Sequence, residues 1–584
     1  MVRKYQYITD YKTALSVLEN FSKSDYLFLD TEVYIQDIRK LDYQNDKVRL
    51  IQIGNNKEVF LFDIFELKPY LDYILPSLKE LLENKGIIGH YLNFDIKFLI
   101  GNFGIYPKIV FDTFIAGKLL YPNLQSYSLS YLYHYLTKKT LDKTEQNSDW
   151  GALELSEKQL DYAYKDITVL QEIFPILQSE INSLPKPNLK LSGDLSKTFK
   201  IYHPVFLTEL YLTPFFAQLE LKGISIDIES INSLERSIKK RYSEIYYQFY
   251  RNERLRLDRQ EELKNWLQKK FNIKLKNSVV SEKEVNKISE EKVRDILLEF
   301  LTLKRSLNKI EELKKYSKGN KIFPVIKQVA SQTGRIYITE PNIQNIPKKL
   351  KGIIKAKNGK KLIIADYSQI ELRIASEYAK EERMINAFKE GKDLHRFTAS
   401  LIFNKDYKDI TDDERKKAKA VNFGLIYGMN YKTLREYLYG FGVNITESEA
   451  KQFIEKFFKS YPKFKDWQDR VKVKLKNKGR LTVYSLFGRR MFVKKFNDAI
   501  NYPIQGTGSD IFKLALGIFI NKAKGENFEI KNLVHDEIVV EVEEEKADYM
   551  ANLLKESMEK AGSIILKNVP VKVDIKIAKS WSEK

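Results

Sequence analysis

Cysteine is absent from the 584 residues. That excludes disulfides, thiolate metal sites and cysteine nucleophiles. Histidine is scarce, at five, too few to furnish a histidine-rich zinc centre. No apolar run approaches the ~18 residues that a membrane-spanning helix needs. The opening stretch from Met1 to Tyr7 lacks the apolar segment of a signal peptide. The expectation is an intracellular protein with no membrane partner. Repeats at solenoid periods are also missing.

What is present points elsewhere. The 99 Lys and Arg exceed the 78 Asp and Glu by 21, and the isoelectric point is near 9.3. Hydrophobic residues make up 43%, enough for a large core, so global disorder is ruled out. At ~150 residues per domain the length suggests about four domains or subdomains. A basic surplus of this size suits a polyanionic partner, nucleic acid first among them. A merely solvated Lys-rich surface accounts for it equally well.

Residues 1–180 read as alternating strands and helices. Tyr26–Asp30, Val48–Gly54 and Val59–Asp63 are strand candidates, followed by a helical stretch around Leu75–Leu82. That order predicts an α/β domain. The Pro-rich, polar Ser183–Asn188 segment reads as an interdomain linker. From about Thr208 to Lys318 the pattern is helical and charged, and Glu291–Lys318 predicts a long exposed helix or a helix pair. Strands return after Lys321, helices run from about Glu377 to Lys478, and a strand pair falls near Leu533–Val542. A helical insertion thus splits a strand region.

Asp30-Thr31-Glu32 ends a strand. Residues two apart on a strand share a face, so both carboxylates can address one point. Asp95 and Asp166 follow, the latter four residues after Tyr162, which places Tyr162 and Asp166 on one helical face. Converging acids repel unless cations neutralise them. Two Mg²⁺ ions would do so and would serve phosphodiester hydrolysis. Any one of these acids alone is more often a helix cap or a surface charge; the ordered set is far more specific.

A second pair of acids lies in the other half. Leu362–Ala365 is an apolar strand running into Asp366, and Leu533–Val540 reads as a hairpin carrying His535, Asp536 and Glu537. The two Asp meet only if the intervening chain folds out and back. Between them Arg415, Lys419, Phe423 and Tyr427 recur at intervals of four. One helical face therefore presents two cations and then two rings. Cations suit a triphosphate, and rings suit a sugar and a base.

The first set resembles the DEDD 3′–5′ exonucleases of the tyrosine-containing subtype. One residue departs from that pattern: Tyr91 stands where the family usually has Asn, four before the second Asp. The second set resembles family A DNA polymerases. Asp366–Arg373 is similar to their motif A, Arg415–Gly428 to motif B and Val534–Glu537 to motif C. Thr333-Gly334-Arg335, Pro341–Pro347 and Asn501–Gly506 match further segments. Together the resemblance covers nearly the whole chain. It corresponds to the Klenow-like part, without the 5′-nuclease domain, in the compact stand-alone form known from thermophilic bacteria, their viruses and plastid-like organelles.

The resemblance implies an α/β, ribonuclease H-like exonuclease domain over 1–184, a linker over 185–207 and an α+β right-hand polymerase domain over 208–584. Within the latter the thumb is expected at about 228–325, the palm at 326–378 and 496–584, and the fingers at 379–495. It implies that Asp30, Glu32, Asp95 and Asp166 hold two Mg²⁺ while Tyr162 orients the attacking water. Asp366, the Tyr367 carbonyl and Asp536 are expected to hold a second pair, with Glu537 nearby but dispensable; Mn²⁺ can substitute. Lys419, Arg415, His395, Phe423, Tyr427, Glu371 and Gln369 are expected at the nucleotide, with Glu371 as steric gate against a 2′-OH. Arg335, Asn342, Gln344, Asn345, Asn501, Gln505 and His535 are expected along the primer–template, chiefly in its minor groove. The partners implied are primer–template DNA and deoxynucleoside triphosphates, and the expected state is a monomer. A single-subunit RNA polymerase shares the two Asp and the basic helix, but Glu371, Phe423 and the attached exonuclease argue against it. A nuclease of RNase D type leaves motifs A to C unexplained, and an architectural binder needs no such acids.

Overall fold

The computed structural model describes residues 5–37, 41–189, 191–273, 279–440 and 443–584. The first part is built on a mixed six-stranded sheet: β1 (Gln6–Ile8), β2 (Tyr26–Tyr34), β3 (Lys47–Gly54), β4 (Val59–Asp63), β5 (Gly86–Gly89) and β6 (Ile109–Asp112), in the order β1-β4-β3-β2-β5-β6. β2 is central, antiparallel to β3 and parallel to β5. Its Leu27, Phe28 and Leu29 are fully buried, as a strand covered on both faces requires. Helices α1 (Asn93–Phe103), α2 (Thr113–Leu120) and α3 (Glu157–Ser183) surround the sheet. α3 begins at a capping box: the Ser156 hydroxyl accepts from the Gln159 N–H, and the Gln159 side-chain oxygen accepts from the Ser156 N–H. The α/β reading of residues 1–180 holds.

The segment read as a linker is packed rather than loose. It carries a short helix, Asp194–Phe199, and leads into α4 (Pro204–Lys222). Phe199, Ile201 and His203 are fully buried. One apolar core runs through both parts, from Phe28 and Phe111 through Phe216 to Ile363 and Val540. Polar ties cross the junction as well. Lys97 Nζ on α1 lies 2.6 Å from Glu220 Oε2 on α4, both nearly buried. Lys118 on α2 donates to the Val329 carbonyl at 2.7 Å.

Beyond α4, α5 (Ile228–Glu253) and α6 (Glu291–Lys315) pack side by side, with Tyr242 and Phe300 stacked at 4.5 Å. The span predicted as helical is therefore one helix, Glu291–Lys315, whose partner is α5, and it gives way to a short strand at Ser317–Lys318. A hairpin of β7 (Val325–Lys327) and β8 (Tyr337–Thr339) precedes the second sheet. That sheet contains β9 (Lys360–Tyr367), β10 (Phe528–Val534), β11 (Glu537–Glu543) and β12 (Val573–Ala578), antiparallel throughout in the order β10-β11-β9-β12. Between β9 and β10 the chain leaves the sheet through α7 (Ile370–Ala379), α8 (Leu394–Phe403), α9 (Asp412–Ile426) and α10 (Phe496–Lys522). α11 (Ala547–Ile565) packs on α10 and on β9. The excursion predicted between the two Asp motifs is this helical insertion. A further hairpin, Leu481–Tyr484 with Arg490–Val493, was not anticipated from the sequence.

Candidate active sites

The side-chain alternation of β2 does what the spacing predicts. Ligand oxygens of Asp30, Glu32 and Asp166 all lie within 4.8 Å of one another. Asp95 stands beside this trio and accepts a hydrogen bond from Thr31 Oγ1 at 2.7 Å. Burial raises all four carboxyls. For Asp30 and Glu32 the neighbouring acids add to it, and Asp95 is pushed up to about 7. Oxygen donors this close and this poorly solvated fit a hard divalent cation. Lys143 had no place in the motif, yet its Nζ donates to Asp166 Oδ1 and Oδ2 at 2.8 and 3.0 Å and to the Tyr162 hydroxyl at 2.9 Å.

These groups line a cavity of about 930 Å³. Its far wall comes from the second part of the chain, Thr213 and Val325–Ala330. Tyr91 sits at its edge with φ +57°, a left-handed conformation that Asn tolerates better than Tyr. Its N–H donates to Asp112 at 2.9 Å, and its exposed ring meets Phe114 edge-on at 5.0 Å. The departure from the family pattern therefore alters the rim and leaves the acids untouched.

In the second sheet, Asp366 near the end of β9 is paired in register with Glu537 of β11. Asp536 lies in the two-residue turn before β11, and its carbonyl accepts from the Tyr367 N–H at 3.3 Å. Burial, then the charge of Asp366, pushes the Asp536 carboxyl up to about 7. The two Asp thus share one neighbourhood although 170 positions separate them. Lys584 Nζ donates to Asp366 at 2.7 Å and also to Glu537, which accepts from the Trp581 indole too.

The face predicted on α9 forms. Thr411 and Glu414 make a capping box at its start. Arg415 pairs with Asp393 at 2.7 Å, and Gln369 donates to the same carboxylate at 3.0 Å. Lys419 is exposed. Phe423 lies between His395, 5.6 Å away, and Tyr427, 6.3 Å away. His395 is buried, which lowers it to about 4 and leaves it neutral near pH 7. The Tyr427 hydroxyl donates to Glu371, which also receives Arg335 at 3.0 Å.

Comparison with known proteins decides what this arrangement belongs to. Residues 228–583 match the model of "DNA polymerase family A", and residues 5–182 match that of a "3'-5' exonuclease". DNA polymerase I of Aquifex aeolicus is 40% identical over 99% of this chain and 100% of its own length. The chain belongs to DNA polymerase family A. It is a DNA-directed DNA polymerase with a 3′–5′ exonuclease domain. DNA polymerase I of Borreliella burgdorferi is 30% identical over 99% of this chain, which spans 65% of that relative. The fold matches a solved POL domain of Pol1 from M. smegmatis at a TM-score of 0.79, with 21% identity and 99% of both chains covered.

The remaining expected residues of this family A polymerase fall in two groups. Asn501 and Gln505 sit one turn apart on α10, half-buried, and the Asn501 Oδ1 is buried without a hydrogen-bond partner. Arg335 is half-buried and His535 is exposed. Asn345 is exposed too. Gln344 is different: its side chain accepts from the Ile338 N–H and donates to the Ile336 and Leu533 carbonyls, fastening β8 and β10 together. Asn342 accepts from the N–H groups of Gln344 and Asn345 and shapes that turn. Sequence reasoning missed Lys143, Asp393 and Lys584. Only Asp393, two residues before His395, carried a signal. Among the described residues no helix is long and apolar enough to cross a membrane.

Proposed function

We propose that the two carboxylate groups are separate divalent-metal centres, the first excising 3′ nucleotides and the second adding them. The observation that carries this is the pair of acidic foci on two different sheets, the first buried and the second half-buried. In this reading Asp30, Glu32, Asp95 and Asp166 hold one pair of Mg²⁺ ions; Asp366, Asp536 and the Tyr367 carbonyl hold the other, and Mn²⁺ substitutes. Bound there, the ions would supply Lewis acidity to the attacking oxygen and neutralise the leaving one.

The protein's own groups do the positioning. Tyr162 orients the attacking water at the first centre. At the second, Lys419 and Arg415 carry the charge of the triphosphate, and neutral His395 donates to it. Phe423 packs on the deoxyribose. Glu371, fixed by Arg335 and Tyr427, fills the space a 2′-OH needs, and Gln369 steadies Asp393 beneath Arg415. Tyr427 holds the template stacking position until a nascent pair displaces it, as α9 rotates to close. Glu537 adds charge but is dispensable. Arg335, Asn501, Gln505 and His535 test minor-groove acceptors common to all base pairs; exposed Asn345 contacts the primer–template beside them, while Asn342 and Gln344 hold the turn and strands that carry it.

The corresponding domains are the exonuclease over 1–184, thumb over about 228–325, palm over 326–378 and 496–584, and fingers over 379–495. The substrates are primer–template DNA and deoxynucleotides, handled by a monomer. A primer–template with a 3′ mismatch tests this directly. With Mg²⁺ and deoxynucleotides the protein should trim the mismatch and then extend. Equal extension with ribonucleotides, or extension without trimming, contradicts it.

A further inference from the structure

Lys143 is the cation nearest the first acidic centre that no motif accounts for. It lies in the turn preceding a short 3-10 helix (Thr144–Asn147), on the cavity wall. Its side chain is about one-quarter exposed, while that of Asp166 is 4% exposed. Both Asp166 oxygens and the Tyr162 hydroxyl accept from its ammonium, which also lies 4.8 Å from the Tyr162 ring centroid. Asp166 is one of the three carboxylates whose oxygens converge within 4.8 Å. Any cation that takes an Asp166 oxygen as a ligand shares that carboxylate with the Lys143 ammonium and meets its positive charge at hydrogen-bond range.

We propose that Lys143 is a built-in counter-ion of the exonuclease centre, competing with a divalent metal for Asp166 and so raising the metal concentration at which excision begins. This rests on the reading of that centre as a metal site. The reasoning is electrostatic. Four acids in one buried spot need positive charge, and a tethered ammonium supplies one unit at no association cost. A divalent ion supplies more charge but binds against the repulsion of the tethered one. Lys143 acts through Asp166 and Tyr162, so it is a positioning residue. Its four-carbon stem lets the head group withdraw into the cavity without moving the backbone.

Direct binding of Mn²⁺, followed by the paramagnetic resonance signal of the free ion, tests this on the full chain. An Asp536→Ala background weakens the second centre, so the first dominates the titration. Lys143→Met in that background should tighten Mn²⁺ about tenfold, the size expected for one screened charge a hydrogen bond away. Lys143→Arg should bind like the parent. The Mg²⁺ concentration for half-maximal excision of a single-stranded oligonucleotide should fall in parallel with Lys143→Met. Unchanged or weaker Mn²⁺ binding by Lys143→Met overturns the proposal, and so does tight binding by Lys143→Arg. Thermal melting in chelator confirms that each variant is folded. If Asp30→Ala in the same background leaves Mn²⁺ binding unaltered, the metal-site reading itself fails, which is a distinct result.

Discussion

The Asp536 carboxyl is raised from its ordinary 3.8 to about 7 by burial and by the charge of Asp366. Below pH ~4 both folded and unfolded chains hold the proton, so the group is neutral in the balance. As pH rises from ~4 to ~7 the unfolded chain releases it first, and the folded, metal-free protein loses stability, with the full loss reached above about 7. Asp536→Asn should therefore raise the melting temperature of EDTA-treated protein at pH 8, by the equivalent of ~1–3 kcal/mol. At pH 4 it should change nothing; an equal gain at both pH values would count against a charge effect. At the sugar, Phe423 offers no hydroxyl to replace a missing 3′-OH, so Phe423→Tyr should improve dideoxynucleotide incorporation by an order of magnitude or more. Unchanged discrimination in single-nucleotide assays would mean that Phe423 does not face the sugar. Residues such as Asp30 and Glu32 are legible because strand alternation fixes where they point. Lys143 and Lys584 are not, because a long flexible side chain reaches its acid from a turn or from the chain's last residues. Gln344 looked like a groove residue, yet it bonds three backbone groups, a use that its sequence neighbours do not reveal.

At the level of elements, α9 displays Arg415, Lys419, Phe423 and Tyr427 because its register is set at Thr411. The Thr411 hydroxyl accepts from the Glu414 N–H, and the Glu414 carboxylate accepts from the Thr411 N–H. Arg415 lies within the first turn, so fraying there reaches the triphosphate side before the rings. Thr411→Ala should cost ~1 kcal/mol of local stability and raise KM for deoxynucleotides several-fold while lowering kcat little, as steady-state incorporation will show. A fall confined to kcat would contradict this. An unbroken apolar run, Leu362–Ala365, exposed β9, and periodicity exposed α9, which repeats one pattern on one face. It did not separate α6 from its neighbours: Glu291–Lys318 repeats apolar residues along its whole length, and only the structure shows the stripe of Leu297, Phe300 and Leu303 buried against α5. The Pro-rich segment after α3 read as linker because its prolines forbid regular structure. Phe199 and Ile201, just beyond, pack it into the shared core.

Over the whole molecule, the exonuclease and polymerase parts are joined as one body. The core is continuous, and the excision cavity is walled partly by Val325–Ala330 from the polymerase side. Lys97 lies two residues from Asp95 on α1 and pairs with Glu220, whose other oxygen accepts from the Ile326 N–H at 2.6 Å. Lys97→Ala leaves a buried carboxylate unpaired and should cost ~3–5 kcal/mol in chemical denaturation. Excision should fall with it, and Lys97→Met combined with Glu220→Gln should restore most of the loss. A null effect of Lys97→Ala would show that the two parts are coupled by apolar packing alone. The general basic surplus was legible from composition, and its meaning came only from the local acidic reversals inside it. If two independent acidic centres divide the chemistry, wild type, Asp30→Ala and Asp536→Ala will separate on matched and mismatched primers with Mg²⁺. Asp30→Ala should extend matched primers at the wild-type rate but remove no mismatch, while Asp536→Ala should trim both primers and extend neither. Loss of both activities from either single substitution would contradict that division.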